Sequence, residues 1–359
     1  MRFHFRNLQN LVRHYSKHIV YRTETNNPYH NLAFEEWMYE NVDLSSTSCL
    51  FIWRSLPSVV IGRHQNPWAE CNVRSLMEKD VCIVRRQSGG GTVYHDLGNI
   101  NITFFTARSL YDRRANLNII VSALNRKWKN LDLSVNCRDD IILDKKYKIS
   151  GSAAKLGRNN AYHHCTLLFD ANLSNMEEFL KSSIPDVSTK ATRSVPSETK
   201  NLSNYVPGIS YEDICDAVTS EYFTYSSDSD QNIVAHVDPT NQAMFPNSTV
   251  IVSKLKSWEW VFGKSSKFTT KWSYDTPEFG NMVVQLSVSN GIINDVQWMF
   301  RTDFLNELNE LGSMLIGKKF RCDVISFTWV EFMLLKRHSL DSKFIGSLGD
   351  LISDVVKYI

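Results

Sequence analysis

Three consecutive glycines, Gly89–Gly91, follow a β-branched run at Val81–Val84 and precede an alternating one at Ile100–Phe105. Such a turn lacks Cβ atoms, so its backbone can take positive φ and approach another surface closely. Strand, glycine turn and strand therefore form a fixed unit in the middle of the chain. No Lys-Ser/Thr follows the glycines and no G-x-G-x-x-G is formed, which excludes the two common nucleotide loops. Val59–Ile61, Ile141–Leu143, Tyr147–Ile149 and Thr166–Phe169 read as further strands. Leu32, Phe34, Trp37 and Met38, among Glu35, Glu36 and Glu40, predict a first helix. Leu117, Ile120, Val121, Leu124 and Trp128 recur at helical spacing. Ser174 with Glu177 forms a capping box for a short helix through Leu180. Ser210 with Asp213 starts another, carrying Ile214, Ala217, Val218 and Tyr222. Strands and helices alternate without a βαβ rhythm, so the class is mixed α+β rather than a doubly wound parallel sheet.

The polar stretch Tyr225–Asn247, with Asp238-Pro239 and Phe245-Pro246, reads as a linker. Beyond it, alternating runs at Lys267–Tyr274, Met282–Val288 and Ile292–Trp298 predict strands, and Asn290-Gly291 predicts a hairpin turn. A helix is expected over Asp303–Leu311. The division is then a larger domain over 21–247 and a small α+β domain over 248–359.

Hydrophobic residues make up 43% of the 359, enough for a buried core. With 40 basic and 38 acidic side chains the formal charge is +2, so no strong field draws in nucleic acid or a membrane surface. Seven scattered cysteines without a C-x-x-C pair argue against a disulfide framework and for a reducing compartment. No apolar run is long enough to span a bilayer. Arg2, Arg6, Arg13, Lys17 and Arg22 all precede the first acidic residue, Glu24, with Phe3, Phe5, Leu8, Leu11 and Val12 between them. That pattern resembles a mitochondrial presequence, and residues 1–20 are assigned to it; a basic leader without targeting role is the alternative.

Chemistry concentrates in two stretches. In RRQSGGGTVYHDLGNINITFF (Arg85 to Phe105), successive backbone N–H groups of the glycine turn can cradle an anion, and Arg85 and Arg86 add fixed charge beside it. A plain tight turn is the competing reading. In KISGSAAKLGRNNAYHHCTLLF (Lys148 to Phe169), Lys148 ends a strand just before a Ser-Gly-Ser turn. From there it can stabilise negative charge developing on a carbonyl. It can equally be a solvated lysine beside Lys145, Lys146 and Lys155.

Together these stretches resemble signature segments of the lipoate–protein ligase and lipoyltransferase family, most closely its animal mitochondrial branch. The resemblance runs from about Tyr29 to Lys267. It also takes in PSVVIGRHQNPWAECN (Pro57 to Asn72), KATRSVPSETKNL (Lys190 to Leu202) and WEWVFGKSSKF (Trp258 to Phe268). It implies the fold of biotin and lipoate ligases, akin to class II aminoacyl-tRNA synthetases, with a small α+β C-terminal accessory domain. It also implies a lipoyl-AMP-binding catalytic domain over 21–247. The lysine of the K-x-x-G-x-A motif, here Lys148, would contact the carbonyl and phosphate of lipoyl-AMP. Arg86, Ser88, Gly89, Gly90 and Gly91 would wrap the acyl chain and phosphate. Tyr94 would lie by the nucleotide, and Arg138, Thr166 and Thr192 would line the same pocket.

The implied activity is lipoyl transfer from lipoyl-AMP to a lysine of apo lipoyl domains, in 2-oxoacid dehydrogenase complexes and the glycine cleavage H protein. The implied setting is the mitochondrial matrix, with the enzyme acting as a monomer and no tightly bound cofactor or metal. Attack by the acceptor ε-amine needs no covalent intermediate, since AMP leaves from a mixed anhydride. Val93, Ile61 and Phe104 are candidate walls for the dithiolane. The segment Arg138-Asp139-Asp140 departs from the Arg-Asn-Asp that bacterial ligases use with Mg²⁺ and ATP. The extra negative charge opposes the triphosphate, although a carboxylate also suits Mg²⁺. Mg²⁺ therefore enters only if full ATP-dependent ligation is retained. The enzymatic rival is amidotransfer through a thioester on Cys165, Cys71 or Cys82; the non-enzymatic one is a scaffold that binds lipoylated proteins. His163 and His164 with Cys165 and Cys137 do not read as a zinc site, because adjacent strand residues face opposite ways.

Overall fold

The computed structural model describes residues 17–226, 232–336 and 338–359. A six-stranded sheet carries the larger part, in the order β10-β11-β6-β2-β1-β13. Its strands are β1 (Lys17–Thr23), β2 (Thr47–Trp53), β6 (Asn99–Ala107), β10 (Ser152–Leu156), β11 (Asn160–Leu168) and β13 (Asn232–Val237). From β10 to β2 the pairing is antiparallel; β2–β1 and β1–β13 are parallel. A second sheet joins β3 (Ser58–Ile61) between β4 (Cys82–Arg85) and β5 (Val93–His95), and a third joins β7 (Leu133–Val135), β8 (Ile141–Leu143) and β9 (Tyr147–Ser150). The fourth pairs the short β12 (Ser188–Thr189) with β14 (Phe268–Thr276), β15 (Gly280–Ser289) and β16 (Ile292–Trp298).

Helices cover both faces of the large sheet. Arg113–Lys127 and Tyr211–Phe223 bury Leu117, Ile120, Leu124, Ile214 and Val218 against β6 and β2. The first starts at an Asp112 side chain that accepts from Ala115 N–H, and ends with Arg126 and Lys127 near its negative pole. Pro28–Asn41 packs on the opposite face, capped by Asn27 with Pro28 at the first position. Glu35 and Glu36 of this helix are buried rather than solvated: Glu36 pairs with Lys155, and Glu35 faces His164 and Thr103.

Several sequence expectations change here. Lys17–Val20, assigned to the leader, belong to β1; residues 1–16 lie outside the described part. The stretch 225–247 is not a simple linker, because Asn232–Val237 forms an edge strand pairing in parallel with β1. Sequence patterning missed it because an edge strand half open to water need not alternate. Ser174 is not the cap of its helix: Leu173–Phe179 is capped by Asn172. The helix Ser248–Lys256 and Trp260, placed with the small domain, pack on the large one, where Val252, Leu255 and Trp260 share a core with Phe34 and Phe51, while Val261 lies in the core with Trp272 and Met282. The helices Cys322–Lys336 and Ser342–Tyr358 were not foreseen. The Asn290-Gly291 turn is as expected, with φ of 52° and 72° joining β15 to β16.

One side chain ties these parts together. Arg85 is fully buried at the end of β4, and its guanidinium donates to the carbonyls of Gly62, Arg63, Gln65, Trp260 and Val261 and to Ser265 Oγ. Trp260 returns a bond from Nε1 to the Arg85 carbonyl at 2.7 Å. Arg85 thus holds the Gly62–Gln65 turn against the segment leading to β14, and is not the ligand charge expected beside the glycines. Arg85→Met keeps volume but leaves several buried carbonyls without donors. Chemical denaturation should show a loss of about 3–5 kcal/mol; a loss below about 1 kcal/mol would contradict this role.

Candidate active site

A cavity of about 310 Å³ opens between the glycine turn, β9–β10 and the Thr192–Val195 segment. Leu32, Trp53, Val60, Val93 and Ala153 give it apolar wall; Lys148, Arg138, Asp140, Thr166 and Thr192 give it polar wall. A second cavity of about 640 Å³ shares Lys148, Gly151, Thr166 and Ser194 with the first and extends to Tyr94, Glu70 and Thr199. The two share wall residues and form a continuous site with a smaller, acyl-sized lobe and a larger one.

Lys148 is fixed by its strand. Its N–H donates to the Glu198 carbonyl at 2.9 Å and it bridges in parallel to Thr199. Its Nζ lies 2.8 Å from Asp140 Oδ1, with the side chain only 23% exposed. A Cβ on Gly151 would stand 3.1 Å from Lys148 Cε and 3.2 Å from Nζ, so the glycine gives the ammonium its room. Asp140 lines the cavity, whereas Asp139 faces Arg113 and Arg114 at 3.7 and 3.8 Å. The negative charge added at 139 is therefore met by two arginines and does not line either cavity.

The glycine turn is held from within. Arg86, also buried, donates to the carbonyls of Val60, Gly89 and Gly91 and to Ser88 Oγ. Burial pulls its pKa down to about 10, so it remains charged at neutral pH. Gly90 has φ +86°, and a Cβ on Gly62 would collide with the Gly90 carbonyl oxygen at 2.1 Å. The turn thus needs glycine for both its own conformation and its neighbour's approach. Behind it, Ser88 Oγ lies 2.8 Å from His164 Nε2, and His164 Nδ1 lies 2.9 Å from Glu35 Oε2.

Among the residues expected at the site, Lys148, Arg86, Gly90, Gly91, Arg138, Thr166 and Thr192 line the first cavity. Ser88 and Gly89 do not; Ser88 is buried as a strut between Arg86 and His164. Tyr94 lines only the second cavity, with its ring against Phe179. Of the three proposed dithiolane walls only Val93 faces the cavity. Ile61 packs in the core that includes Trp68, and Phe104 in the one beneath Tyr222. Cys165 lines the cavity, with its thiol pushed up to about 12 by burial, while Cys71 and Cys82 line neither lobe. Asp96 accepts from Gly98 and Asn172 N–H and shapes the loop. His163 and His164 point to opposite sides, and no cluster of three metal-ligating side chains occurs among the described residues. Sequence reading missed Glu70, Glu35, Gln65 and Ser194, because polar side chains of these types are mostly exposed and carry no burial signal of their own.

The fold is of the lipoate ligase type. The lipoyl protein ligase A/B catalytic domain matches residues 27–223, and the chain belongs to this family. It is 40% identical over 336 residues to a protein of Mus musculus named mitochondrial lipoyl amidotransferase LIPT1, spanning 91% of this chain and 89% of that one. The human protein of the same name is 39% identical over 346 residues, covering 95% of this chain and 91% of its own. Among solved structures, LipL1 of P. falciparum in complex with lipoate superimposes with a TM-score of 0.59 at 26% identity. That match covers 95% of this chain and 99% of LipL1. A lipoate–protein ligase A bound with ATP shares the fold at 19% identity, TM-score 0.54, over 69% of this chain and 99% of its own.

Burial depresses His95 to about 3 and holds His163 well below its ordinary value of 6.5. An unfolded chain protonates both rings near 6.5, so below that pH the unfolded state binds more protons. Stability contributed by these rings falls as pH drops below 6.5, by up to about 1.4 kcal/mol per pH unit for each. Melting curves of the parent and His163→Gln at pH 7 and pH 5 check this: the parent should lose more. Equal losses would mean that His163 is protonated in the fold.

Proposed function

We propose that this chain moves a lipoyl group onto a lysine of an apo lipoyl domain, taking it from the lipoyl-lysine amide of a donor protein. The carrying observation is the cavity shared by the Lys148 ammonium and the Gly90–Gly91 turn. Its apolar part suits an aliphatic chain with a dithiolane, and its polar part suits a reacting carbonyl. The acceptor ε-amine, once deprotonated, adds to the carbonyl carbon and the oxyanion forms beside Lys148 Nζ. The C–N bond to the donor lysine then breaks, and that amine leaves with a proton. One amide replaces another, so no nucleotide is consumed.

The adenylate donor expected from the sequence gives way to an amide donor because the relatives are named amidotransferases. The adenylate reading keeps one supporting observation, the larger lobe reaching Tyr94, which has room for a nucleotide. In both cases the acceptors are apo lipoyl domains of 2-oxoacid dehydrogenase complexes and the glycine cleavage H protein. Mg²⁺ is needed only if lipoate is activated with ATP. The mitochondrial names of the relatives and the basic leader support a mitochondrial setting. Cys165 is the thiol placed to carry an acyl group, but burial keeps it protonated, which favours direct attack over a thioester.

Purified chain is incubated with an apo lipoyl domain and, separately, a lipoylated donor protein, lipoyl-AMP, or lipoate with ATP and Mg²⁺; mass spectrometry reads the product. Transfer from the donor protein without nucleotide is expected, and product from lipoyl-AMP alone would overturn the amide reading. Lys148→Ala should fold and lose about 100-fold or more in kcat, while Cys165→Ser should retain activity. Full turnover by Lys148→Ala would remove that residue from the chemistry.

A further inference from the structure

The segment HQNPWAECN (His64 to Asn72) contributes no residue to the acyl-sized lobe, yet its structure is unusually determined. Asn66 caps the short helix Pro67–Glu70 through Trp68 N–H, with Pro67 at its start. Trp68 is buried, its ring 5.0 Å from Phe262 and 5.3 Å from both Phe268 and Phe320. With one side of the turn so anchored, Glu70 is turned the other way, towards the ligand lobes, and is itself buried.

Its carboxylate meets only donors. Ser194 N–H donates to Oε2 at 3.0 Å, Ser194 Oγ donates to the same oxygen in a short bond, and Gln65 Nε2 donates at 3.1 Å. Arg193 Nε stands 3.6 Å from Oε1. Ser194 Oγ in turn accepts from Thr92 N–H at 2.9 Å, at the end of the glycine turn. Gln65 Oε1 accepts from Gly62 N–H and Thr92 Oγ, both at 2.8 Å. Glu70 therefore joins the Thr192–Val195 segment to the glycine turn and the Gly62 turn in one buried network.

Besides Glu70, the segment is met by Gln65 Nε2, which donates to the Thr192 carbonyl at 3.4 Å and to Ser194 Oγ at 3.1 Å, and by the Ala69 carbonyl, which accepts from Arg193 at 3.1 Å. It is tied at one end by β12 pairing with β14, and at the other by the bridge from Thr199 to Lys148. Between Lys190 and Glu198 only Ala191 and Ser194 are not exposed. Yet Thr192 and Val195 line the first cavity, and a Cβ on Gly91 would stand 3.2 Å from Ser194 Oγ.

We propose that Glu70 is a positioning residue that latches the Thr192–Val195 strap over the acyl cavity through Ser194. A carboxylate is required because every partner is a donor; a glutamine would turn its own NH₂ against them or keep a single, weaker acceptor. The proposal rests on the lipoyl-transfer reading for its kinetic consequence, but not for its structural one.

The test uses the full chain as parent, Glu70→Gln, Ser194→Ala and the double variant, each checked for an unchanged melting temperature. Limited trypsin digestion with mass spectrometry follows cleavage after Lys190 and Arg193. Both single variants should be cut there about 10-fold faster than the parent, and the double variant no faster than either. In the transfer assay, KM for the lipoyl donor should rise about 10-fold with kcat within about twofold, again without additivity. Cleavage and KM at parental values, or independent effects that multiply in the double variant, would overturn the latch. If the parent transfers no lipoyl group from any donor, the functional reading fails, and cleavage at the strap alone decides the latch.

Discussion

Two guanidinium groups buried at the end of one strand, satisfied largely by backbone carbonyls, set the geometry on which the rest depends. A cation removed from water needs its donors met by fixed acceptors, or it loses several kcal/mol of solvation. Arg85 and Arg86 meet that demand by gathering loops around themselves. Arg85 draws the Gly62–Gln65 turn and the Trp260–Ser265 segment together; Arg86 draws in the carbonyls of Val60, Gly89 and Gly91. Adjacent strand residues face opposite ways, so one arginine works behind the sheet and the other in front. The glycine turn is therefore a shaped wall before any ligand arrives, and preorganisation of this kind removes ordering cost from binding and reaction.

The site's charges follow from this scaffold. The proposed function sets the developing oxyanion beside the Lys148 ammonium, which is paired with Asp140. On the proposed function a substrate carbonyl competes with that carboxylate for the ammonium. Arg138 Nε stands 3.9 Å from the same carboxylate. Asp139 is held outward by Arg113 and Arg114, so its charge costs the pocket little. The cavity thus joins a rigid glycine wall, the Lys148–Asp140 pair and a strap bonded to the buried Glu70 carboxylate.

Much of the frame is legible in the sequence because local rules agree with tertiary ones. Gly90 needs its positive φ, Asn290-Gly291 closes its hairpin, and the alternating run through β6 lies where its pattern puts it. What escapes reading is burial of polar groups. Glu35 and Glu36 look like the wet face of a helix, but Lys155 and His164 meet them inside. Arg85 looks like a ligand charge until its donors are counted. Ile61 and Phe104 fit an apolar slot by type, while strand direction sends them into other cores. The edge strand Asn232–Val237 carries Ile233 and Val234 half exposed, and so lacks an apolar face to announce it.

On the proposed function the reacting carbonyl lies between Lys148 and the Gly90–Gly91 turn, and a crystal structure with lipoate bound tests this most directly. The predicted complex has the lipoate carboxylate within about 3 Å of Lys148 Nζ, displacing Asp140, with the aliphatic chain against Trp53, Val60 and Val93. A lipoate bound elsewhere, or in this cavity with Lys148 still on Asp140 and no contact to the carboxylate, would contradict the account.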